Sequence, residues 1–198
     1  ELHRKRHCGN YWRISRGDFE MIYFDNGEVL IRDMIPSDAQ IITDEEIKQG
    51  WHQTTEKYEM RLVHQAEGSA HAIVAEYRGN VAGYINVYVQ AIVGPFANLG
   101  IPEIIDFGVL EKYRKKGIGS ILMDVAESIA AKSSDTVCLS VGVHNGYGAA
   151  QRMYVKRGYI PDGSGVWYGE SVCPKYEDCC NDDDLVLFFS KKLDGTRA

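Results

Sequence analysis

The sequence has no uninterrupted apolar stretch near the ~20 residues that a membrane-spanning helix needs. Its longest runs, such as Leu185 to Phe189, are far shorter, so no helical span and no membrane partner are expected. Basic charge is also in short supply. Lys and Arg number 22 against 28 Asp and Glu, for a net charge of −6 and a pI near 5.5. That balance does not suit a protein that grips a phosphate backbone, so nucleic acid is not an expected partner. Cysteines are five, an odd count at irregular spacings: Cys8, Cys138, Cys173, Cys179 and Cys180. Free thiols in a reducing, cytoplasmic compartment are expected rather than a disulfide framework. The last three cysteines include no Cys-x-x-Cys pair, and no metal site is expected. Neither Gly-x-Ser-x-Gly nor His-Glu-x-x-His occurs, which removes the common hydrolase motifs.

What is present is a globular composition: 198 residues, 44% hydrophobic and 25% charged, with mean hydropathy −0.28. A chain of this length buries about 70% of its unfolded surface and needs no disulfide staple. Charge is uneven, +2 over residues 1–20 and −8 over the rest. Residues 1–20 hold a basic cluster without an apolar secretory core, which suggests a basic, flexible leader ahead of a single domain over 21–198.

The periodicity alternates between strand and helix. Glu28 to Met34 is β-rich and ends before Pro36. Ser37 with Gln40, then Thr43 with Glu46, have capping-box spacing. Ile47, Trp51, Thr55, Tyr58, Leu62 and Ala66 predict one long amphipathic helix ending by Gly68. Ala70 to Tyr77 and Val81 to Val89 read as strands joined by a tight turn at Arg78, Gly79 and Asn80. A loop over Ala91 to Pro102 precedes a strand over Glu103 to Leu110. A helix over Gly117 to Lys132, a strand over Val137 to Val143 and a helix from Tyr147 to Arg157, stopped by Gly158, follow. Short strands near Val166 to Tyr168 and Leu185 to Ser190 flank an acidic loop.

The strongest local signal is Arg114-Lys115-Lys116-Gly117-Ile118-Gly119-Ser120, where a strand gives way to a helix through three cations and two glycines. Free N–H groups of a helix's first turn, with the positive dipole end behind them, suit a pyrophosphate. Glycine admits the phosphates where a Cβ would obstruct them.

The run Val109 to Gly119, together with Ala150-Gln151-Arg152-Met153-Tyr154-Val155-Lys156-Arg157-Gly158-Tyr159, resembles the acetyl-CoA signature and late helix of GNAT-superfamily N-acetyltransferases. The element order fits that fold over about four fifths of the chain. The resemblance implies an α/β (α+β) fold with a mixed, mostly antiparallel central sheet flanked by helices and splayed between the fourth and fifth strands. It also implies acetyl-CoA as acyl donor, lying in that splay, and direct attack by an amine in a ternary complex.

By the same resemblance, the backbone of Phe107, Gly108 and Val109 pairs with the pantetheine arm, with the Val109 N–H stabilising an oxyanion. Arg114, Lys115, Lys116, Gly117, Ile118, Gly119 and Ser120 hold the phosphates, and Tyr154 is the general acid. Glu103 and Asp106 both remain as candidate bases. Alternation sets them on opposite strand faces unless a bulge intervenes, and Glu103 is favoured. Asn145 matches the family's cofactor-contacting Asn, though nine residues before Tyr154 rather than seven. His144 beside it is a weaker candidate, as a proton relay.

The resemblance further implies an acceptor amine on a small molecule or peptide. The acidic run around Asp182 to Asp184 reads either as a cation-attracting entrance or as a solvated loop. Trp51, Tyr58, Trp167 and Tyr168 read either as pocket walls or as core. A homodimer is compatible with the sequence, and the competing class is a non-catalytic acyl-CoA sensor of the same fold.

Overall fold

The computed structural model describes residues 11–15 and 18–193. Among these residues it is a mixed α/β fold with four helices and an open, mostly antiparallel sheet, as the resemblance implies. The chain divides into two compact units, Glu1–Asn86 with Asp106–Val125, and Val87–Ile105 with Ala126–Ala198.

In the first unit β1 (Tyr11–Ser15), β2 (Asp18–Asp25), β3 (Val29–Asp33) and β4 (Ala70–Tyr77) pair antiparallel in that order. The expected leader falls largely outside the described residues. β1 and the start of β2 are the parts of it that are described. Between β3 and β4 lie α1 (Pro36–Lys48) and α2 (Thr55–Ala66). β5 (Asn80–Tyr88) follows through Arg78 and Gly79, both at positive φ, the tight turn the sequence predicts. Residues 106–109 of β6 (Glu103–Val109) and the start of α3 (Ile118–Ala130) complete the unit.

The single long helix expected over residues 43–68 is instead two helices. Gly50, at φ 86°, closes α1 with paired reverse hydrogen bonds, Gly50 N–H to Ile47 O and Trp51 N–H to Glu46 O. This is a Schellman end, and it outweighs the apolar stripe that continues past it. The expected caps shift as well. Pro36 opens α1 after Ile35, whose N–H donates to Asp38 Oδ2 at 2.9 Å, while the Thr43 hydroxyl donates to Ala39 O inside the helix. Met34, Ala39, Ile42, Tyr58, Ala72, Val74, Val81 and Tyr84 form the core here, with Leu62 packed against it.

Beneath α1, the buried Arg32 guanidinium grips Asp38 through Nη1 (2.6 Å) and Nη2 (2.9 Å). Its Nε reaches Glu76 at 2.7 Å and Glu20 at 3.3 Å.

In the second unit, residues 103–105 of β6 adjoin β7 (Thr136–Gly142). The two strands pair in parallel at Glu103↔Cys138 and Ile104↔Leu139. These are the fourth and fifth strands of the sequence count. α4 (Gly148–Lys156) ends in a second Schellman arrangement at Gly158, as expected. β8 (Ile160–Tyr168), β9 (Ser171–Val172) and β10 (Leu185–Lys192) finish the sheet in the order β7-β10-β8-β9. β8 is longer than the three residues expected, because β10 pairs along it to Pro161 and Ile160 past a bulge. Glu127 accepts Arg157 Nε and Nη2, both at 2.9 Å, and Lys191 Nζ at 2.7 Å, tying α3, the end of α4 and β10 together.

The expectation of free thiols is corrected at one pair. Cys173 and Cys179 are disulfide-bonded, whereas Cys138 is a buried thiol and Cys180 an exposed one. The two partners stand six residues apart on a loop after β9, a local closure that an odd count of cysteines does not reveal.

Arg32→Met would leave Asp38 and Glu20 buried without their cation. A loss of roughly 3–5 kcal/mol is expected, read as a lower urea midpoint at unchanged slope.

Candidate functional site

In the first unit β6 leads through a 3-10 turn at Glu111–Tyr113 into α3, and the Leu110 N–H bonded to Ala82 O (2.9 Å) fixes where the turn begins. Lys115 and Gly117 both have positive φ, 62° and 79°, which reverses the chain directly before the helix. Gly117 O accepts the N–H groups of Ser120 and Ile121, the first bonds of the helix, which leaves the N–H groups of Ile118 and Gly119 at its open end. A Cβ on Gly119 would lie 3.1 Å from the Phe107 ring, so glycine lets the helix start seat itself on β6. Ile118 buries its side chain and has only backbone to offer a ligand. Arg114, Lys115 and Lys116 are exposed. Arg114 is held at Glu111 (3.2 Å), and Lys116 Nζ lies 5.1 Å from the Tyr77 ring centroid. Helix N-terminus, positive-φ glycine and a ring of cations together fit a diphosphate.

Upstream on β6 lie Phe107, Gly108 and Val109, all half-buried. A Cβ on Gly108 would fall 2.7 Å from Tyr84 Cζ, so the Tyr84 ring occupies the space above that strand. Tyr84 and Tyr58, edge-to-face at 5.4 Å, both donate their hydroxyls to the buried Glu46 carboxyl. Burial pushes the Tyr84 phenol up, and the neighbouring Tyr58 and Glu46 push it further. Asp106 sits at φ 48°, a left-handed residue that breaks the period-two alternation of β6. Its carboxylate takes Arg61 Nε at 2.8 Å and Lys57 Nζ at 3.3 Å, both from α2.

In the second unit Glu103 is 9% exposed, and burial alone pushes its carboxyl up to about 7. Opposite it on β7, the Cys138 thiol reaches Pro102 O at 3.5 Å and is itself pushed up by burial and by Glu103. Tyr154 is 6% exposed on α4, with its ring 5.7 Å from that of Tyr159. Burial first, and Tyr147 second, raise its phenol well above the usual tyrosine range. Asn145 is exposed, in a 3-10 turn just before α4. His144 accepts the Gly146 N–H at Nδ1 (3.0 Å) and meets Asp183 at Nε2 (3.0 Å), where the Tyr147 hydroxyl also donates (2.9 Å).

Arg114 to Ser120 thus stand together with Asp106 to Val109 in one unit, and Glu103, Asn145 and Tyr154 belong to the other. Of the aromatic candidates, Tyr58 is core, Trp167 packs on Phe188 at 5.4 Å, and Trp51 and Tyr168 are partly exposed. Three features went unread in the sequence: the Glu46 carboxyl between two tyrosines, the Lys57 and Arg61 clamp on Asp106, and the Asp183 link to His144. Lys57 and Arg61 at i and i+4 do mark one face of α2, a signal that could have been read. Nothing in the spacing announces Glu46.

The acetyltransferase (GNAT) family model matches residues 39–159. An uncharacterised N-acetyltransferase of Chlorobaculum tepidum is 28% identical over 117 residues, covering 58% of this chain and 66% of that protein, just under two thirds of its length. The fold is similar to the apo ribosomal-protein alpha-N-acetyltransferase RimL, with TM-score 0.68 and 12% identity over 92% of this chain and all of that one. It is also similar to yncA from Salmonella typhimurium solved with acetyl-CoA, with TM-score 0.61 and 18% identity over 87% of this chain and 98% of that one. The chain belongs to the acetyltransferase (GNAT) family.

Glu103 carries a linkage consequence. Between its ordinary value of 4.5 and about 7, the folded state keeps a proton that the unfolded chain has released, so folding stability falls as pH rises through that window. The shift corresponds to about 3 kcal/mol. Wild type should therefore lose that much relative to Glu103→Gln between pH 4.5 and pH 8, measured by urea unfolding of both proteins at each pH.

Proposed function

We propose that this protein is an acetyl-CoA-dependent N-acetyltransferase that passes an acetyl group directly to a primary amine of a small molecule or peptide. The observation that carries this reading is Glu103, a carboxyl placed in a dry setting and poised near neutrality on the strand that runs into the phosphate-binding turn. When bound, acetyl-CoA supplies the activated thioester. Its phosphates would be held by the backbone N–H groups of Gly117, Ile118 and Gly119, by the Ser120 hydroxyl and by the charges of Arg114, Lys115 and Lys116; Asn145 is carried over as a cofactor contact from the family resemblance alone. The backbone of Phe107 and Gly108 would pair with the pantetheine amides, and the Val109 N–H would stabilise the oxyanion of the attacked carbonyl.

An ammonium acceptor cannot attack until a base removes its proton. Glu103 fills that role, since burial pushes its carboxyl up to about 7, within reach of the proton it must take. Asp106, the other candidate, spends its carboxylate on Arg61 and Lys57 and serves instead to anchor α2 to β6. Tyr154 keeps its proton at every physiological pH because burial raises its phenol, so it is in the form that an acid for the departing thiolate requires. A cytoplasmic location, where acetyl-CoA is available, is part of this proposal.

Release of coenzyme A thiol from acetyl-CoA, followed across polyamines, aminoglycosides, amino acids and peptide N-termini, tests the reading. The exposed Cys180 requires an enzyme-only blank. Acceptor-dependent release is expected; coenzyme A binding with no release for any amine would instead identify a sensor. Tyr154→Phe should lower kcat by roughly 10²–10⁴-fold with acetyl-CoA affinity nearly unchanged. For wild type, kcat/KM should rise with pH and level off above about 7, and Glu103→Gln should abolish that rise.

A further inference from the structure

A cleft of about 330 Å³ opens in the first unit between α1, the β4–β5 turn and the 3-10 turn ahead of α3. Its charged and aromatic lining consists of Arg32, Asp38, Glu45, Glu76, Lys112 and Tyr113. Arg32 has little left for an anion, because its N–H groups go to Asp38, to Glu76 and to the Asp33 carbonyl. Three carboxylates against two cations leave the lining negative. At its edge the chain has already placed a primary ammonium. Lys112 Nζ contacts the Glu45 carboxylate and lies 5.2 Å from the centroid of the Tyr113 ring. A carboxylate and an aromatic face are the two kinds of group that recognise an alkylammonium. The Lys112 side chain is 53% exposed and Glu45 only 18%, so the lysine arm can swing into water while the carboxylate stays in the cleft. Lys112 and Lys48 also hold Glu45 below the usual carboxylate range, which keeps it anionic.

We propose that this cleft binds an organic cation bearing a primary ammonium or guanidinium group, which takes the place of Lys112 Nζ against Glu45 and Tyr113. The displaced Lys112 lies two residues before Arg114, so occupation of the cleft frees another cation beside the phosphate-binding turn. The two sites are therefore coupled, each ligand strengthening the other. The coupling rests on the acetyl-CoA reading above; cation binding itself does not.

The test is calorimetric titration of 1,4-diaminobutane into the full chain without acetyl-CoA, so that no acyl transfer contributes. One-to-one binding is expected, weakened about tenfold or more in Glu45→Gln, as loss of a charge-assisted contact implies. Lys112→Met, which removes the internal competitor, should bind more tightly. Glu111→Gln deletes an exposed carboxylate on the same turn and should change affinity less than about twofold if contact rather than general field decides. The proposal is overturned by absence of binding, by equal weakening in Glu111→Gln, or by undiminished binding in Glu45→Gln, which would place the diamine elsewhere. Added coenzyme A should tighten diamine binding in wild type but not in Lys112→Met. Tightening in neither protein would sink the coupling while leaving N-acetyl transfer untouched.

Discussion

A single buried carboxyl group, that of Glu46, sets much of the first unit. A carboxyl removed from water costs several kcal/mol unless its oxygens are hydrogen-bonded, and here both partners are tyrosine hydroxyls, one from α2 and one from β5. α1, α2 and β5 cannot drift apart without stranding that group. Tyr84, once fixed by it, covers β6 so closely that position 108 has no room for a Cβ. The backbone of Phe107 to Val109 and the turn that follows take their position from this contact. Chemistry at the surface is thus referred back to a hydrogen-bonded acid in the core.

The two carboxylates of β6 illustrate how environment rather than residue type assigns a role. Asp106, itself left-handed in its backbone, is clamped by a lysine and an arginine from α2. Glu103, three residues earlier, has burial without a cation and is pushed toward neutrality.

The fold class, most strand and helix positions and the glycine turn that opens α3 were legible because local signals and tertiary context agree there. Gly117 marks the helix start and Gly158 a helix end, each with apolar periodicity on the expected side. At Gly50 the two signals conflict: the stripe from Ile47 to Ala66 continues in phase, yet the glycine closes α1 with the same reverse hydrogen bonds seen at Gly158. Features made by distant partners stayed hidden. Glu46 meets Tyr84 across 38 residues and Arg61 meets Asp106 across 45. The first half of β8, interrupted by Gly163 and Gly165 at positive φ, is a strand only because β10 lies beside it. The Cys173–Cys179 bond was unread for a different reason: cysteine counting addresses frameworks, not one short loop.

The sheet of the second unit ends on β9, a strand of only two exposed residues, Ser171 and Val172. Directly after it the Cys173 N–H turns back to Val166 O at 2.7 Å, and the disulfide to Cys179 closes the chain into a loop. An edge this short offers a foreign strand too few unpaired amides to template addition, and Glu170 and Lys175 put a charge at either end of it. The closed loop acts as a terminator for this corner of the sheet: past Val172 the chain turns away instead of running on as a longer edge beside Trp167 and Tyr168.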